Sequence, residues 1–207
     1  MPTGGGKSLC YQIPALALPG LTVVVSPLIS LMKDQVDQLT ELGIPAAYLN
    51  SQQTRQEQTA TLNQLQFGEI KILYVSPERL LQFRFLDHIR NAGVSLFAID
   101  EAHCLSQWGP SFRPDYAELG NLAQYFPNVP IAAMTATADE ATRRDMEIQL
   151  FADKHETYVS GFDRPNLTLN VSMKKSWKNQ LLDYVEQKKG MSGIVYCLSR
   201  KKTEEVA

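Results

Sequence analysis

The chain has 207 residues, of which 44% are hydrophobic and 20% are charged. A hydrophobic fraction of this size can build a core, which excludes global disorder, and the length suits one domain or one domain plus part of a second. Twenty Lys and Arg against 22 Asp and Glu give a formal net charge of -2. This charge balance excludes a protein that is basic overall, such as a histone-like protein. It is compatible with a local basic groove on a neutral body. No apolar run approaches the roughly 20 residues that span a bilayer, so we expect no membrane partner.

The predicted elements alternate between apolar strands and amphipathic helices along most of the chain. Helical spacing predicts a helix starting near Ser8, helices over 28–42 and 54–67, and another from Asp139. Strand-like apolar runs lie between them, at 21–25, 46–49, 70–75, 94–99 and 131–134. Strands separated by helix-length segments predict an α/β fold with a parallel sheet, and uninterrupted apolar strands indicate that helices flank both faces.

The pattern changes after about residue 150. Residues 162–166 are interpreted as a connector, followed by a strand at 167–171, a helix at 177–189 and a buried strand at 193–197. These elements predict the opening of a second α/β domain. The predicted boundaries are therefore 1–160 for the first domain and 161–207 for the connector and the beginning of the second.

A glycine-rich segment near the start of the chain carries the first chemical signal. Three consecutive glycines allow a tight turn that aims backbone N–H groups at phosphate oxygens. Lys7 supplies a positive charge for the β- and γ-phosphates, and the Ser8 hydroxyl suits Mg²⁺. The predicted nucleotide-binding residues are Thr3, Gly4, Gly5, Gly6, Lys7 and Ser8. The alternative is a glycine-rich turn that happens to precede Lys-Ser.

Two adjacent carboxylates follow the apolar run at 94–99 and carry the second signal. Ligands of α/β sheets bind at the carboxyl ends of the strands, where Asp100 and Glu101 lie. Asp100 is predicted to hold Mg²⁺ together with Ser8, and Glu101 to orient or deprotonate the attacking water. His103 is predicted to link these carboxylates to Gln107 or to a second lobe. The alternative is a solvated acidic turn.

These motifs together resemble a superfamily two helicase, and the RecQ family of DNA helicases in particular. The resemblance covers the whole chain and rests on five segments: 1–15, 26–35, 76–80, the Asp-Glu-Ala-His sequence at 100–103, and Phe-Asp-Arg-Pro-Asn at 162–166. It implies a RecA-like P-loop domain that lacks its N-terminal strand, plus the start of a second RecA-like domain. It also implies ATP and Mg²⁺ as cofactors, with Lys7, Asp100, Glu101 and His103 as the catalytic residues.

The resemblance also implies a set of DNA-binding residues. Short loops at strand ends can present N–H groups and hydroxyls to phosphates, and aromatic side chains can stack on bases. The set comprises Ser26, Pro27, Leu28, Ser76, Arg79, Trp108, Phe112 and Arg113. As alternatives, the Ser-Pro segments are ordinary capped turns, and the two aromatic residues pack on the core.

The implied function is that of an ATP-dependent 3′–5′ DNA helicase, which couples hydrolysis to translocation on single-stranded DNA and to duplex unwinding in repair and recombination. The implied partners are single-stranded and partially duplex DNA. The resemblance also allows a single-strand-binding protein as a partner. The implied location is the bacterial cytoplasm, with the nucleoid, or another intracellular site. The chain is expected to be an internal fragment that is inactive by itself. The alternatives are a nucleic-acid-stimulated P-loop ATPase, an RNA-directed helicase and a non-catalytic binding module.

Overall fold

Five strands form one parallel sheet in the computed structural model, which describes residues 4–106, 112–151, 155–160 and 166–207. The strands are β1 (Leu21–Val25), β2 (Ala46–Leu49), β3 (Ile72–Val75), β4 (Val94–Ile99) and β5 (Ile131–Ala133). Their order across the sheet is β2-β3-β1-β4-β5. The chain divides into two units, 1–163 and 164–207, and the sheet belongs to the first.

Helices connect the strands of the first unit. The described helices of this unit are α1 (Leu9–Ala17), α2 (Ile29–Glu41), α3 (Arg55–Gln66), α4 (Pro77–Leu80), α5 (Phe83–Asn91), α6 (Pro114–Ala117), α7 (Leu122–Tyr125) and α8 (Glu140–Leu150). Short 3₁₀ turns occupy Ala102–Leu105 and Glu118–Asn121. No helix in the described ranges is both long and apolar enough to cross a membrane.

The sheet is buried on both faces, as its uninterrupted apolar strands predict. In β1, Val23 and Val25 pack into one hydrophobic cluster, while Val24 packs into the other. In β3, Leu73 joins the first cluster and Tyr74 the second. Successive side chains of a strand point to opposite faces, so two apolar cores, one on each face, hold the sheet. The predicted α/β fold with a parallel sheet flanked by helices is confirmed.

The helix α3 begins with a capping box, which explains why this Gln-rich stretch is helical. The side chain of Thr54 accepts a hydrogen bond from the backbone N–H of Glu57, and the Glu57 carboxylate accepts one from the Thr54 N–H at 2.7 Å. Two donors at the helix N-terminus are thereby satisfied. The cap fixes where the loop after β2 ends.

Two predicted strands in the second unit are wrong. This unit contains α9 (Trp177–Gln187) and α10 (Arg200–Val206), but residues 167–171 and 193–197 form no strand. A strand needs a neighbour that accepts and donates its backbone hydrogen bonds, and the described residues of this unit supply none. The apolar side chains of these two segments are correspondingly exposed, including Leu169 and Ile194.

A close backbone approach fixes the start of β1 against β4. The N–H of Gly20 donates to the Ser95 hydroxyl at 2.9 Å, and the N–H of Leu21 donates to the carbonyl of Gly93 at 3.0 Å. A methyl group on Gly20 would overlap both that carbonyl and the Ser95 hydroxyl. This contact sets the alignment of the two strands that lead to Ser26 and Asp100.

We therefore expect Gly20→Ala to destabilise the first unit by about 1–3 kcal/mol, because the backbone must shift to admit a methyl group. Urea unfolding followed by circular dichroism measures the effect. Gly193→Ala is the matched control, since a methyl group there meets nothing within 4 Å. Equal stability of the two variants would contradict this account of the β1–β4 contact.

Candidate functional site

The residues that follow the five strands stand side by side along one edge of the sheet. The backbone N–H of the residue after one strand donates to the last carbonyl of its neighbour, over 2.9–3.3 Å in four successive pairs. We call this line of residues the carboxyl-end row; in sheet order it contains Asn50, Ser76, Ser26, Asp100 and Met134. The row brings predicted DNA-binding and predicted catalytic residues onto one edge.

The glycine-rich segment leads into α1, as the sequence predicts. Gly4 and Gly6 both adopt positive φ angles, +79° and +78°, a conformation that glycine alone adopts without strain. Ser8 is the N-cap of α1, but its side chain makes no capping hydrogen bond. Lys7 lies close enough to Asp100 for its charge to act on that carboxylate.

Asp100 is a buried carboxylate at the end of an apolar strand. Its side chain Oδ1 accepts a hydrogen bond from the Glu101 N–H at 3.0 Å. Burial raises the pKa of Asp100, while this hydrogen bond and the charges of Lys7 and His103 act in the opposite direction. The net shift is upward, so the protein holds a partly desolvated charge at this point.

Glu101 turns the chain sharply after β4. It has φ 49° and ψ 42°, and it is the one non-glycine residue with a positive φ angle in the described part of the chain. A bulky residue adopts this conformation only where its surroundings enforce it. Here the next N–H, from Ala102, donates to the carbonyl of Met134 at 2.9 Å. The Tyr116 hydroxyl donates to the carbonyl of Asp100 at 3.1 Å on the other side.

His103 joins the acidic turn to the segment after β5. Its Nδ1 lies 3.0 Å from the Thr135 hydroxyl and 3.3 Å from Oε2 of Glu101. The sequence predicted a link to Gln107 or a second lobe; Gln107 lies outside the described residues, and Thr135 is the partner that the prediction missed. No local motif signals this pairing, because 32 positions separate the two residues.

The predicted DNA-binding residues fall into two places. Ser26 and Ser76 are buried in the carboxyl-end row. Ser26 does not cap α2: the N-cap is Leu28, whose N–H donates to the Ser26 hydroxyl at 3.5 Å. Ser76 is the N-cap of α4 but makes no side-chain capping bond. Neither hydroxyl therefore makes a capping hydrogen bond to its helix, although the Ser26 hydroxyl closes a local turn onto Leu28.

Two arginines of the set have defined surroundings. The Arg113 guanidinium donates to the carbonyl of Pro27 at 3.3 Å, which joins the segment after the acidic turn to the loop after β1. Arg79 lies over the Phe85 ring, 5.3 Å from its centre, and donates to Gln82. Phe112 is half-buried. Thr3 and Trp108 lie outside the described residues.

Sequence reasoning also missed a polar network between two helices. The Gln12 amide on α1 donates to Gln35 on α2 at 3.0 Å and to the Tyr74 hydroxyl at 3.2 Å. Tyr74 in turn donates to Tyr11 at 3.5 Å. The network connects the helix that follows the glycine-rich segment to the helix that follows Ser26.

The sheet, the glycine-rich turn and the acidic strand end define a RecA-like α/β domain. The family model described as DEAD/DEAH box helicase matches residues 1–145, and the chain belongs to this family. It is 54% identical over all its 207 residues to the "ATP-dependent DNA helicase RecQ" of Pasteurella multocida and 52% identical to that of Haemophilus influenzae. The chain spans about a third of the length of these two relatives, 33% of each.

A solved structure gives the same fold. The crystal structure of "DUF1998 helicase MrfA" is similar over 100% of this chain and 34% of that one, with a TM-score of 0.70 and 18% sequence identity. At this identity the likeness concerns the fold alone.

The raised pKa of Asp100 has a consequence for stability. A carboxyl group whose pKa is higher in the folded state favours folding below its ordinary pKa and loses that contribution as pH rises through the folded value. Without nucleotide or metal, we expect Asp100→Asn to melt a few degrees above the wild type at neutral pH. The amide keeps an oxygen that can accept from the Glu101 N–H, but it carries no desolvated charge.

The difference should disappear as the pH falls below the ordinary pKa of an aspartate, where Asp100 is protonated in both states. Thermal melts of both proteins across this pH range measure the effect. Asp115→Asn, at an exposed position on α6, is the control. A lower melting temperature for Asp100→Asn at neutral pH would show that the contacts to Lys7 and His103 outweigh burial.

Proposed function

We propose that this chain carries the ATP-binding lobe of a RecQ-type DNA helicase that moves 3′ to 5′ on single-stranded DNA. The observation that carries the proposal is the buried Asp100 beside Glu101, within reach of the charge of Lys7. The names of relatives such as those of Pasteurella multocida and Haemophilus influenzae supply ATP and DNA as the ligands. The same proposal includes duplex unwinding in repair and recombination, a single-strand-binding protein as partner, and a location with the DNA inside the cell.

The nucleotide side of the proposal fits the residues present. The glycines at 4–6 have no side chains that would keep a phosphate from their backbone, and Lys7 adds a positive charge. The Ser8 hydroxyl makes no capping hydrogen bond to α1, so it remains available to a ligand. No group of three or more His, Cys, Asp or Glu in the described ranges forms a metal cage. Mg²⁺ in nucleotide sites uses one or two protein ligands together with phosphates and water, which Asp100 and Ser8 suit.

In the proposed reaction, Glu101 handles the attacking water. Bound ATP and Mg²⁺ supply the phosphoanhydride bond and the charge that activates it. Glu101 orients the water and accepts its proton, and the fixed turn at this residue holds the carboxylate in one direction. His103 connects Glu101 to Thr135, which gives the segment after β5 a direct contact with the group that handles water.

The DNA side of the proposal occupies the neighbouring part of the same edge. Ser26 and Ser76 supply hydroxyls and adjacent N–H groups to strand phosphates, with Pro27 and Leu28 shaping the loop. Arg113 touches that loop through the carbonyl of Pro27. Phe112 and Trp108 are proposed to stack on bases. Arg79 adds a positive charge next to Ser76. Strand contact and hydrolysis are therefore proposed to use adjoining segments of one edge.

The role of Glu101 is tested by Glu101→Gln in the whole protein. ATP affinity should persist while hydrolysis falls about 100-fold or more, since the amide keeps the shape but accepts no proton. Phosphate release and nucleotide binding are measured separately. The control Glu118→Gln makes the same change at an exposed position. Normal turnover by the Glu101→Gln variant would remove Glu101 from the reaction.

The nucleic acid is tested by measuring ATP hydrolysis with single-stranded DNA, with RNA and with neither. Stimulation by DNA alone, and displacement of a strand only from duplexes with a 3′ overhang, are the expected results. Stimulation by RNA alone favours the RNA-directed alternative, and stimulation without unwinding favours a nucleic-acid-dependent ATPase. Binding without hydrolysis in any arm favours a non-catalytic module.

A further inference from the structure

One side chain on α1, that of Gln12, joins three elements of the first unit. Its amide nitrogen donates to Oε1 of Gln35 on α2 at 3.0 Å and to the hydroxyl of Tyr74 on β3 at 3.2 Å. An amide nitrogen carries two N–H donors, so both donors are engaged. The two partners lie 23 and 62 positions away in the sequence. A single amide therefore links α1 to α2 and to β3 at one point.

The α1 end of this link follows the glycine-rich segment directly. The N–H of Leu9 donates to the carbonyl of Gly6 at 3.0 Å, and the N–H of Gln12 donates to the carbonyl of Ser8 at 3.0 Å. These hydrogen bonds continue the glycine-rich turn into the helix, which is a stiff element. A shift of Ser8 when a nucleotide binds therefore carries Gln12 with it.

The other two ends of the link lead to segments that the proposed function assigns to the strand. Gln35 lies about two turns into α2, whose N-cap is Leu28. The carbonyl of Leu28 accepts from the N–H of Met32 at 3.1 Å, which ties the loop before α2 to the helix. Tyr74 lies in β3, two residues before Ser76. A strand that displaces either of these loops therefore acts on the partners of Gln12.

The link lies beside the second hydrophobic cluster, to which both helices contribute. Tyr74 and Tyr11 are buried in that cluster with their rings edge to face at 6.3 Å, and Met32 and Val36 of α2 pack there too. Apolar burial has no preferred direction, so packed helices can slide by small amounts. A hydrogen bond weakens steeply with distance and angle. The Gln12 amide therefore specifies one position of α1 relative to α2.

We infer that Gln12 is a positioning residue through which nucleotide binding at the glycine-rich turn and strand binding at the loop after β1 influence each other. The inference rests on the proposed function and adds a physical route between its two ligands. A ligand that shifts α1 must either stretch the bond from Gln12 to Gln35 or move α2 as well. Such coupling is reciprocal, because each ligand changes the affinity of the other by the same factor.

The test measures this factor in the whole protein. The probes are a fluorescent single-stranded oligodeoxythymidylate and a non-hydrolysable ATP analogue with Mg²⁺. Strand affinity is measured without the analogue and with the analogue at saturation, and analogue affinity is measured with and without the strand. The ratio of the paired affinities is the coupling factor. In the wild type it should depart from 1 and agree between the two directions.

Gln12→Met removes both donors and keeps the length and helix propensity of the side chain. Its coupling factor should move toward 1 by about 5-fold, the equivalent of one net hydrogen bond. The affinity for each ligand by itself should stay close to that of the wild type, because the inference gives Gln12 no contact with either ligand. Gln38→Met makes the same change at an exposed position of α2 and is the matched control.

Two variants of Gln35, which is half-buried, test the same bond from the other side. Gln35→Glu keeps an oxygen that accepts from the Gln12 amide, so the coupling factor should be retained. Gln35→Met removes the acceptor and should uncouple the two ligands. The double variant with Gln12→Met should lose no more than Gln12→Met alone, since both changes break one bond. A merely structural role would lower the melting temperature without producing this pattern in a ratio of affinities.

The outcomes separate the inference from the proposed function. Absence of nucleotide or strand binding by the wild type overturns both. Binding of both ligands with a coupling factor of 1, or a factor that is equal in Gln12→Met and Gln38→Met, overturns the inference alone. A Gln35→Glu variant that uncouples as fully as Gln35→Met also overturns it. Melting temperatures identify a misfolded Gln12→Met variant, and the comparison of the two Gln35 variants then decides.

Discussion

The burial of one carboxylate, that of Asp100, is the constraint around which the site is arranged. An apolar strand delivers it to the edge of a sheet where water is largely excluded, and the charge is costly there. Several groups oppose that cost: the N–H of Glu101 donates to it, and Lys7 and His103 lie within reach of it. The pKa of this carboxylate stays raised in spite of them, so a further positive charge beside it would stabilise its charged form.

The turn after Asp100 is held from two sides, and this explains its strained backbone. Tyr116 fixes the carbonyl of Asp100, and the segment after β5 holds both the N–H of Ala102 and the ring of His103. The left-handed conformation of Glu101 persists because these contacts leave no relaxed alternative. A shift of the segment after β5 must therefore break these bonds or move the carboxylate of Glu101. In the proposed function, that carboxylate positions the water.

Sequence patterns predicted the sheet and the acidic motif but not the contacts that assemble the site. The strand at 94–99 and the two carboxylates after it are continuous in sequence. The apolar run followed by Asp100 and Glu101 therefore predicts this part of the site directly. The pairing of His103 with Thr135 depends on which strands are neighbours, which no local pattern specifies. The strands predicted at 167–171 and 193–197 failed because apolar runs alone do not supply the hydrogen-bonding neighbour that a strand requires.

The carboxyl-end row changes character along its length, and this division suits two anionic ligands on one edge. In the middle of the row, Ser76 and Ser26 offer neutral hydroxyl and backbone N–H groups, which in the proposed function meet a strand phosphate directly. At the β4 end, Asp100 and Glu101 repel a phosphate unless a cation lies between them. In the proposed function, a nucleotide beside Asp100 therefore depends on a metal ion, whereas a strand phosphate at Ser26 and Ser76 does not. On this reasoning, removing divalent metal should weaken nucleotide binding by the whole protein while leaving its binding of single-stranded DNA without nucleotide intact.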